Sequence, residues 1–321
     1  MLRNVTPITL AEAVSASVPD PDHILGPLQP GDIGIISGAD GSGKSLVALA
    51  MGASVAYGVP ACGVVDAPRS TGRVLYVAGE DRRDDHIRRL KRLAAHLKTE
   101  HGISGDDDAM LTLWPLLGQR MPLFAPLGDG FKMTPLGEHF AAAIAGYRLV
   151  VLDPMRMMHD CEESKGPAMD GFARWLVTVA IQNQCAILLV QHASQGAILE
   201  GRTDHHIGRG ATDFPAACRA AWALRTMTTK EAEDFRINSD ERRDWRLLVQ
   251  GKASHATEDG ARWLKRDGGL WIRSSYTPEE VADANANTRH KLAAPARAAK
   301  TFANDLARYG LRPLTSGAEN V

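Results

Sequence analysis

Cysteine is scarce in this chain of 321 residues. The four that occur lie far apart, at Cys62, Cys161, Cys185 and Cys218. No two of them form a C-x-x-C pair, so the sequence contains neither the spacing of a zinc knuckle nor a dense disulfide framework. Isolated thiols of this kind are typical of a reducing compartment, and we expect the protein to be cytoplasmic.

Long apolar runs are also missing. No stretch approaches the roughly 18 consecutive apolar residues that cross a membrane. Residues 1–22 contain basic and polar positions but no apolar core of about 7 to 15 residues, which a secretory signal requires. We therefore expect no membrane partner.

Neither sign of charge predominates. Lys and Arg number 37 and Asp and Glu 38, which gives a formal net charge of -1 at pH 7. That balance excludes a histone-like polycation and an acidic solvating chain. It permits a nucleic-acid partner, because charges can be segregated along a chain. Aromatic residues amount to only 6%, so nothing indicates an RRM-like stacking surface.

The chain does contain a regular alternation of short apolar runs and helical stretches. Runs such as YRLVVL and CAILLV are apolar on both faces, which is typical of parallel strands covered by helices. Strands are predicted at 33–37, 73–78, 111–114, 147–152, 185–191 and 220–224, and helices at 10–17, 44–57, 84–98, 136–145 and 169–182. Two or three antiparallel strands with Asp-Gly and Gly-Gly turns are predicted after residue 240. The predicted fold class is α/β, a mainly parallel twisted sheet flanked by helices with a C-terminal antiparallel extension.

The clearest motif is G-x-x-x-x-G-K-S, between a predicted strand and a predicted helix. Its members are Gly38, Ala39, Asp40, Gly41, Ser42, Gly43, Lys44 and Ser45. Glycines allow backbone N–H groups to surround phosphates, and a helix N-terminus favours anions. The spacing predicts an ATP-binding loop in which Lys44 reaches the β and γ phosphates and the Ser45 hydroxyl binds Mg²⁺. The alternative is a Gly-rich turn with a capping serine.

Two carboxylates that follow predicted strands are candidates for metal and water chemistry. Asp153 ends the run YRLVVLD, and a carboxylate there is suited to hold Mg²⁺ through water. Glu80 follows VLYVAG and is the candidate that orients or deprotonates water, with Asp81 as the runner-up. Both have simpler alternatives. Asp153 can cap a turn before Pro154, and Glu80 can belong to the N-cap region of the next helix.

The apolar run CAILLV leads into Gln191 and His192, polar residues that we expect at the same carboxyl edge of the sheet. A pair there can sense the γ-phosphate and pass that information to the following loop. The alternative is a solvated or hydrogen-bonded histidine at the end of a strand.

The order of these motifs resembles that of the plasmid RepA-type replicative DNA helicases, RecA-like ATPases related to the DnaB group. The resemblance extends from about residue 6 to residue 273 and is carried by GADGSGKS, VLYVAGEDRRDDHIRRL, VVLDPMRMMHDCEES, CAILLVQHASQGA, GRGATDF and GKASHATEDGARWLKRDGGL. Members of that family form hexameric rings that hydrolyse ATP between subunits and translocate on single-stranded DNA. The resemblance implies Lys44 and Ser45 on the nucleotide, Glu80 as the catalytic carboxylate, Asp153 on the metal and His192 as the phosphate sensor.

The resemblance also implies contributions from neighbouring subunits. Arg209, in GRGATDF, matches the arginine finger that one subunit supplies to its neighbour's ATP. Lys252, in VQGKAS, is the candidate for a second cation in trans, and the alternative is a charged hairpin residue without that role. Plasmid members tend to carry two histidines where this chain has Gln191 and His192, and Gln191 resembles the glutamine of the recombinase branch.

The loops after the Asp153 and His192 strands are expected to face the channel of such a ring. They cover residues 154–167 and 193–210, which is long for connections of this type. Their cations Arg156, Lys165 and Arg202 are the candidate DNA contacts. Repeated around a ring, these residues would make a positive channel that binds DNA phosphates.

The sequence therefore predicts an ATP-dependent DNA helicase that acts as a homohexamer in plasmid or mobile-element replication. Its expected cofactors are ATP and Mg²⁺, and its expected partners are single-stranded DNA and a replication initiator or primase. The alternatives are a RecA- or RadA-like recombination or repair ATPase and a nucleotide-switched replisome adaptor. We expect an N-terminal arm at 1–27, a RecA-like ATPase domain at 28–275 and a basic, Ala-rich tail at 276–321.

Overall fold

A computed structural model of the chain describes residues 6–105, 110–127, 130–163, 166–193, 213–254 and 260–275. The strands are β1 (Ile33–Gly38), β2 (Val74–Ala78), β3 (Leu111–Pro115), β4 (Phe124–Leu127), β5 (Gly130–Met133), β6 (Leu149–Asp153), β7 (Ala186–His192), β8 (Ala220–Thr226), β9 (Trp245–Ala253), β10 (Ala261–Asp267) and β11 (Leu270–Arg273). The main helices are α1 (Leu10–Ser15), α2 (Lys44–Tyr57), α3 (Arg83–His101), α4 (Pro135–Ala143) and α5 (Gly166–Asn183). Shorter helical segments are Ala61–Gly63, Met155–Met158, Asp213–Ala217, Thr229–Asp234 and Glu241–Asp244.

Nine of the described strands form one sheet in the order β11-β10-β9-β8-β1-β7-β6-β2-β3. The six strands from β8 to β3 in this order pair in parallel. The strands β9, β10 and β11 continue the sheet in antiparallel fashion beyond β8. The predicted α/β fold with a mainly parallel sheet and a C-terminal antiparallel extension is confirmed.

The central strands are buried on both faces, which explains their continuous apolar runs. In β6, Leu149 and Val151 pack into one hydrophobic cluster, together with residues of α2 and α3. The alternate residues Val150 and Leu152 pack into a second cluster with residues of α4 and α5. Since successive strand residues point to opposite faces, helices cover the sheet on both sides. Among the described residues, no helix is both long enough and apolar enough to span a membrane.

The structure differs from the sequence-based expectation in two places. The antiparallel pair β4 and β5 was not predicted, and Pro126 and Gly130 within it weaken the strand signal. The connection after β6 is shorter than predicted, because α5 begins at Gly166 and Met155–Met158 forms a helical turn. Met155 and Met158 are fully buried in the second cluster and so anchor the start of this connection.

The N-terminal segment contains an exposed helix followed by a buried end. None of the residues of α1 is buried. Ile24 and Leu25 are fully buried in the first cluster, so the end of the predicted arm packs against the core. The boundaries at 27 and 275 stay predictions, and the predicted tail lies outside the described residues.

Candidate nucleotide-binding site

The G-x-x-x-x-G-K-S loop lies between the end of β1 and the start of α2. Gly41 and Gly43 have φ values of 70° and 99°, in the left-handed region that favours glycine. An added Cβ at Gly43 would overlap the indole Nε1 of Trp271, and one at Gly38 would overlap the carbonyl oxygen of Leu224. The glycines are therefore required by backbone conformation and by close packing.

Lys44 extends back across this loop. It is 5% exposed, and its Nζ donates a hydrogen bond of 2.8 Å to the carbonyl oxygen of Ala39. An ammonium group has three donors, and phosphate oxygens are acceptors that it can bind. Because Lys44 is also the first residue of α2, its charge adds to the positive end of the helix dipole.

Asp153, the last residue of β6, is joined to the loop by Tyr76 of β2. The Tyr76 hydroxyl donates to the Asp153 carboxylate and lies 3.1 Å from the carbonyl oxygen of Ser45. Burial raises the pKa of Asp153, and hydrogen bonds from Tyr76 and Ser45 and the charges of Lys44 and His192 oppose that rise. The buried Asp153 carboxylate and the half-buried Ser45 hydroxyl therefore lie together as oxygen atoms, which are the type of ligand that Mg²⁺ prefers.

The turn after β2 lies beside Asp153. Ala78 is paired with Asp153 across β2 and β6, and the Gly79 N–H donates a hydrogen bond of 2.6 Å to the Asp153 carbonyl oxygen. Glu80 is exposed, and its carbonyl oxygen is hydrogen-bonded at 2.8 Å to Nε2 of His86 on α3. The turn is thus held by β6 at Gly79 and by α3 at Glu80, at the same edge of the sheet as the phosphate loop.

The two carboxylates of this turn differ in their partners. Asp81 has a φ of 67° and forms an ion pair of 2.7 Å with Arg89. Within the described parts of the chain, Glu80 forms no ion pair. Asp81 is therefore held by α3, whereas the Glu80 carboxylate is available for a ligand.

Gln191 and His192 lie next to the phosphate loop. The parallel register of β1 and β7 places Gly38 opposite His192. The imidazole Nδ1 of His192 contacts the carboxylate of Asp40, within the loop itself. Ser37 Oγ lies 3.5 Å from Oε1 of Gln191. The predicted sensor pair and the phosphate loop are therefore in direct contact at the carboxyl edge of the sheet.

Arg156 lies close to this pair. It is exposed and lines a cavity of about 270 Å³ together with Arg120, His159, Asp160, Cys161, Glu162 and Glu163. Arg156 and Glu163 also line a smaller cavity of about 30 Å³ that is bounded by Gln191 and His192. One candidate DNA contact thus lies next to the predicted sensor.

The other predicted cations are in different situations. Lys165, Arg202 and Arg209 lie outside the described residues. Lys252, on β9, donates to the carbonyl oxygens of Pro215 at 3.3 Å and Ala216 at 2.8 Å. Burial lowers the pKa of Lys252. In a single chain Lys252 therefore bonds to a neighbouring segment of its own subunit, and its action in trans stays a prediction.

Three residues of the site were not found from the sequence: Tyr76, Arg246 and Trp271. Tyr76 gave a weak signal, as the single polar group within the buried run VLYVA. Arg246 and Trp271 lie in the antiparallel extension and contact the loop at Ser42 and Gly43. Nothing in their local sequence distinguishes them from ordinary strand residues.

The chain is similar to known proteins in sequence profile and in fold. A family profile described as "AAA domain" matches residues 3–197, more than half of the chain. One solved structure, of the ATPase domain of another protein, is similar with a TM-score of 0.50 and 10% identity, over 77% of this chain and 86% of that one. A second, "The Structure Of A DnaB-Like Replicative Helicase And Its Interactions With Primase", gives a TM-score of 0.51 and 10% identity, over 76% of this chain and 57% of that one.

At 10% identity these two likenesses concern the fold. The RecA-like arrangement expected from the motif order is thus shown for the core. The profile match covers the phosphate loop, both candidate carboxylates and the Gln191–His192 pair. The chain belongs to this AAA domain family and is an ATP-binding, ATP-hydrolysing P-loop protein.

Proposed function

We propose that the protein is an ATP-dependent DNA helicase of the RepA type, a ring-shaped motor that translocates on single-stranded DNA during plasmid or mobile-element replication. The observation that carries the proposal is the meeting of four strand ends at one edge of the sheet. These ends bear the phosphate loop, His192, Asp153 and Glu80. The fold shared with the solved ATPase domain and with the DnaB-like helicase supports it.

Nucleotide binding is assigned to residues 38–45. Their backbone N–H groups and Lys44 would hold the phosphates of ATP. The Ser45 hydroxyl and, through water, the Asp153 carboxylate would hold Mg²⁺. Tyr76 joins the two residues, because its hydroxyl contacts the Asp153 carboxylate and the backbone carbonyl of Ser45. When bound, Mg²⁺ supplies positive charge that offsets the charge on the phosphates.

Glu80 is assigned as the carboxylate that orients or deprotonates the attacking water. Replacement of Glu80 by glutamine is expected to lower kcat for ATP hydrolysis about 100-fold or more, since general-base catalysis contributes on the order of 10² to 10⁴ in rate. Nucleotide affinity should change little. The measurements are steady-state ATPase rates and titration with a fluorescent ATP analogue.

Asp81→Asn is the matched control for Glu80→Gln. It alters the neighbouring carboxylate, which is paired with Arg89, and we expect less than a tenfold change in kcat. If Asp81→Asn abolished hydrolysis and Glu80→Gln did not, the assignments of these two residues would have to be exchanged.

Coupling to DNA is assigned to His192, Gln191 and the loops that follow β6 and β7. His192 would exchange its contact with Asp40 for the γ-phosphate. Arg156 lies beside the pair. Arg156, Lys165 and Arg202 would then bind DNA with an affinity that depends on the bound nucleotide. Arg209 and Lys252 are assigned to the neighbouring subunit's ATP in a homohexamer.

Protein partners and the terminal segments follow from the same proposal. The DnaB-like helicase that this chain resembles in fold interacts with primase, and we infer a primase or replication initiator as the partner here. Residues 1–27 would form an arm, residues 28–275 the ATPase domain and residues 276–321 a basic tail.

The proposal is tested by unwinding of a fluorescently labelled forked DNA duplex with Mg-ATP. The expected result is ATP-dependent strand separation by a hexameric ring, seen by electron microscopy. Closed rings that unwind no fork geometry would disprove the helicase. Filaments on single-stranded DNA would favour a recombination or repair ATPase. ATP binding without DNA-stimulated turnover would favour a nucleotide-switched adaptor.

A further inference from the structure

We propose that Arg246 and Trp271, both in the C-terminal antiparallel extension, are positioning residues of the nucleotide site. In this proposal Arg246 holds the Ser42 carbonyl away from the phosphate cradle and thereby orients the Gly43 N–H into it. The proposal rests on nucleotide binding by the phosphate loop and does not depend on helicase activity.

Arg246 is a buried cation whose hydrogen bonds all go to backbone carbonyls. It is 8% exposed. Its Nε donates to Ser42 at 2.8 Å, and its Nη1 donates to Arg243 at 2.8 Å and to Trp245 at 2.9 Å. Burial lowers its pKa to about 10, so the group stays charged at neutral pH.

The charge of Arg246 has no ion-pair partner among the residues that the structure describes. A buried cation without a counter-ion is costly, because desolvation is not offset by an opposite charge. The Arg246 guanidinium donates a hydrogen bond to Ser42, in the loop that would bind the nucleotide's phosphates. An anion bound there would supply the missing negative charge.

Trp271 fixes the guanidinium group and closes one side of the loop. The Cζ atom of Arg246 lies 4.2 Å from the centre of the Trp271 ring, a cation–π contact. The indole edge is so close to Gly43 that no Cβ would fit there. Trp271 is 6% exposed and packs beside the loop.

Peptide geometry turns this contact into an effect on the phosphate site. In a trans peptide the C=O of Ser42 and the N–H of Gly43 point in opposite directions. Because Arg246 of β9 donates to that carbonyl, the Gly43 N–H points away from the Arg246 guanidinium. A hydrogen bond to a charged donor also polarises the peptide and strengthens its N–H as a donor.

The chain provides a matched control in Arg262, on the same extension. Arg262 is 7% exposed, and its guanidinium bonds to the carbonyl of Gly63 at 3.2 Å and to Asp66 at 2.9 Å. It therefore attaches β10 to the segment after α2 as Arg246 attaches β9 to the loop. A purely structural role predicts that Arg246 and Arg262 are equivalent in nucleotide binding.

The experiment measures the Kd of a fluorescent ADP analogue for Arg246→Met and Arg262→Met, at a temperature where circular dichroism shows both to be folded. We expect Arg246→Met to raise Kd about tenfold, equivalent to about 1.4 kcal/mol, and Arg262→Met to leave it within about twofold. Arg246→Lys, which keeps the charge, should recover part of the affinity.

Trp271→Leu provides a second route if Arg246→Met fails to fold. It removes the aromatic face under Arg246, and we expect Kd to rise several-fold. Unchanged Kd values in the folded Arg246 and Trp271 variants, or equal losses in Arg246→Met and Arg262→Met, would overturn the proposal. A wild-type protein that binds nucleotide and unwinds no DNA would disprove the helicase alone.

Discussion

Replacement of Lys44 by alanine is expected to lower ATP hydrolysis by about 1000-fold or more and to abolish DNA unwinding. The Lys44 ammonium is buried at the start of α2 and lies across the phosphate loop. In such a water-poor position a positive charge stabilises the developing charge of a transferred phosphate far more than it would in water. Alanine removes that charge, and no other described lysine lies within the loop.

The measurements for Lys44→Ala are the ATPase rate, the affinity for a fluorescent ATP analogue and the melting temperature. Lys91→Ala, at an exposed position on α3, is the control and should keep wild-type activity. We expect the fold of Lys44→Ala to persist, because the hydrogen bond from its Nζ to the Ala39 carbonyl is local to the loop and joins no two strands. Hydrolysis within about tenfold of wild type would contradict the assignment of this loop as the catalytic site.

Much of the fold follows from local sequence. The runs that form β6 and β7 are apolar at nearly every position because both faces of these strands are covered, and this pattern is typical of central parallel strands. Gly268 and Gly269, with φ values of 54° and 84°, form the Gly-Gly turn expected between β10 and β11. These features depend on neighbouring residues only, so a single sequence predicts them.

The site residues that the sequence does not reveal depend on contacts between distant segments. Tyr76 reaches Asp153 across 77 residues of sequence, and Arg246 reaches Ser42 across 204. Both contacts exist because β2 pairs with β6 and because the antiparallel extension packs beside the loop. A buried tyrosine or arginine shows no local pattern that reveals its partner.

The ends of the parallel strands predict the location of the site residues better than the identity of single buried residues does. Asp153, Glu80 and His192 each follow an apolar run, and the strand order β1-β7-β6-β2 brings these run ends to one edge. The same signal favours Glu80, one residue past the strand, with Asp81 as the runner-up. The structure adds a difference in contacts, because Asp81 has a left-handed backbone conformation and pairs with Arg89 of α3.

Replacement of Arg209 by alanine is expected to lower the ATPase rate by about 10³ to 10⁵-fold, the contribution that an arginine finger makes to phosphate transfer. Arg209 lies outside the described residues, so its role is inferred from the resemblance of GRGATDF to the family motif. Nucleotide affinity should stay near that of wild type. Arg219→Ala, an exposed arginine just after the same segment, is the control and should retain activity.

Mixing variants separates action in trans from action within one subunit. Glu80→Gln subunits keep Arg209, and Arg209→Ala subunits keep Glu80. If Arg209 acts on the neighbour's ATP, some interfaces in a mixed ring contain both intact residues, and ATPase activity should recover on mixing. If Arg209 acts on the ATP of its own subunit, every site lacks one residue and mixing restores nothing. The second result would remove the main reason for hydrolysis to require a ring.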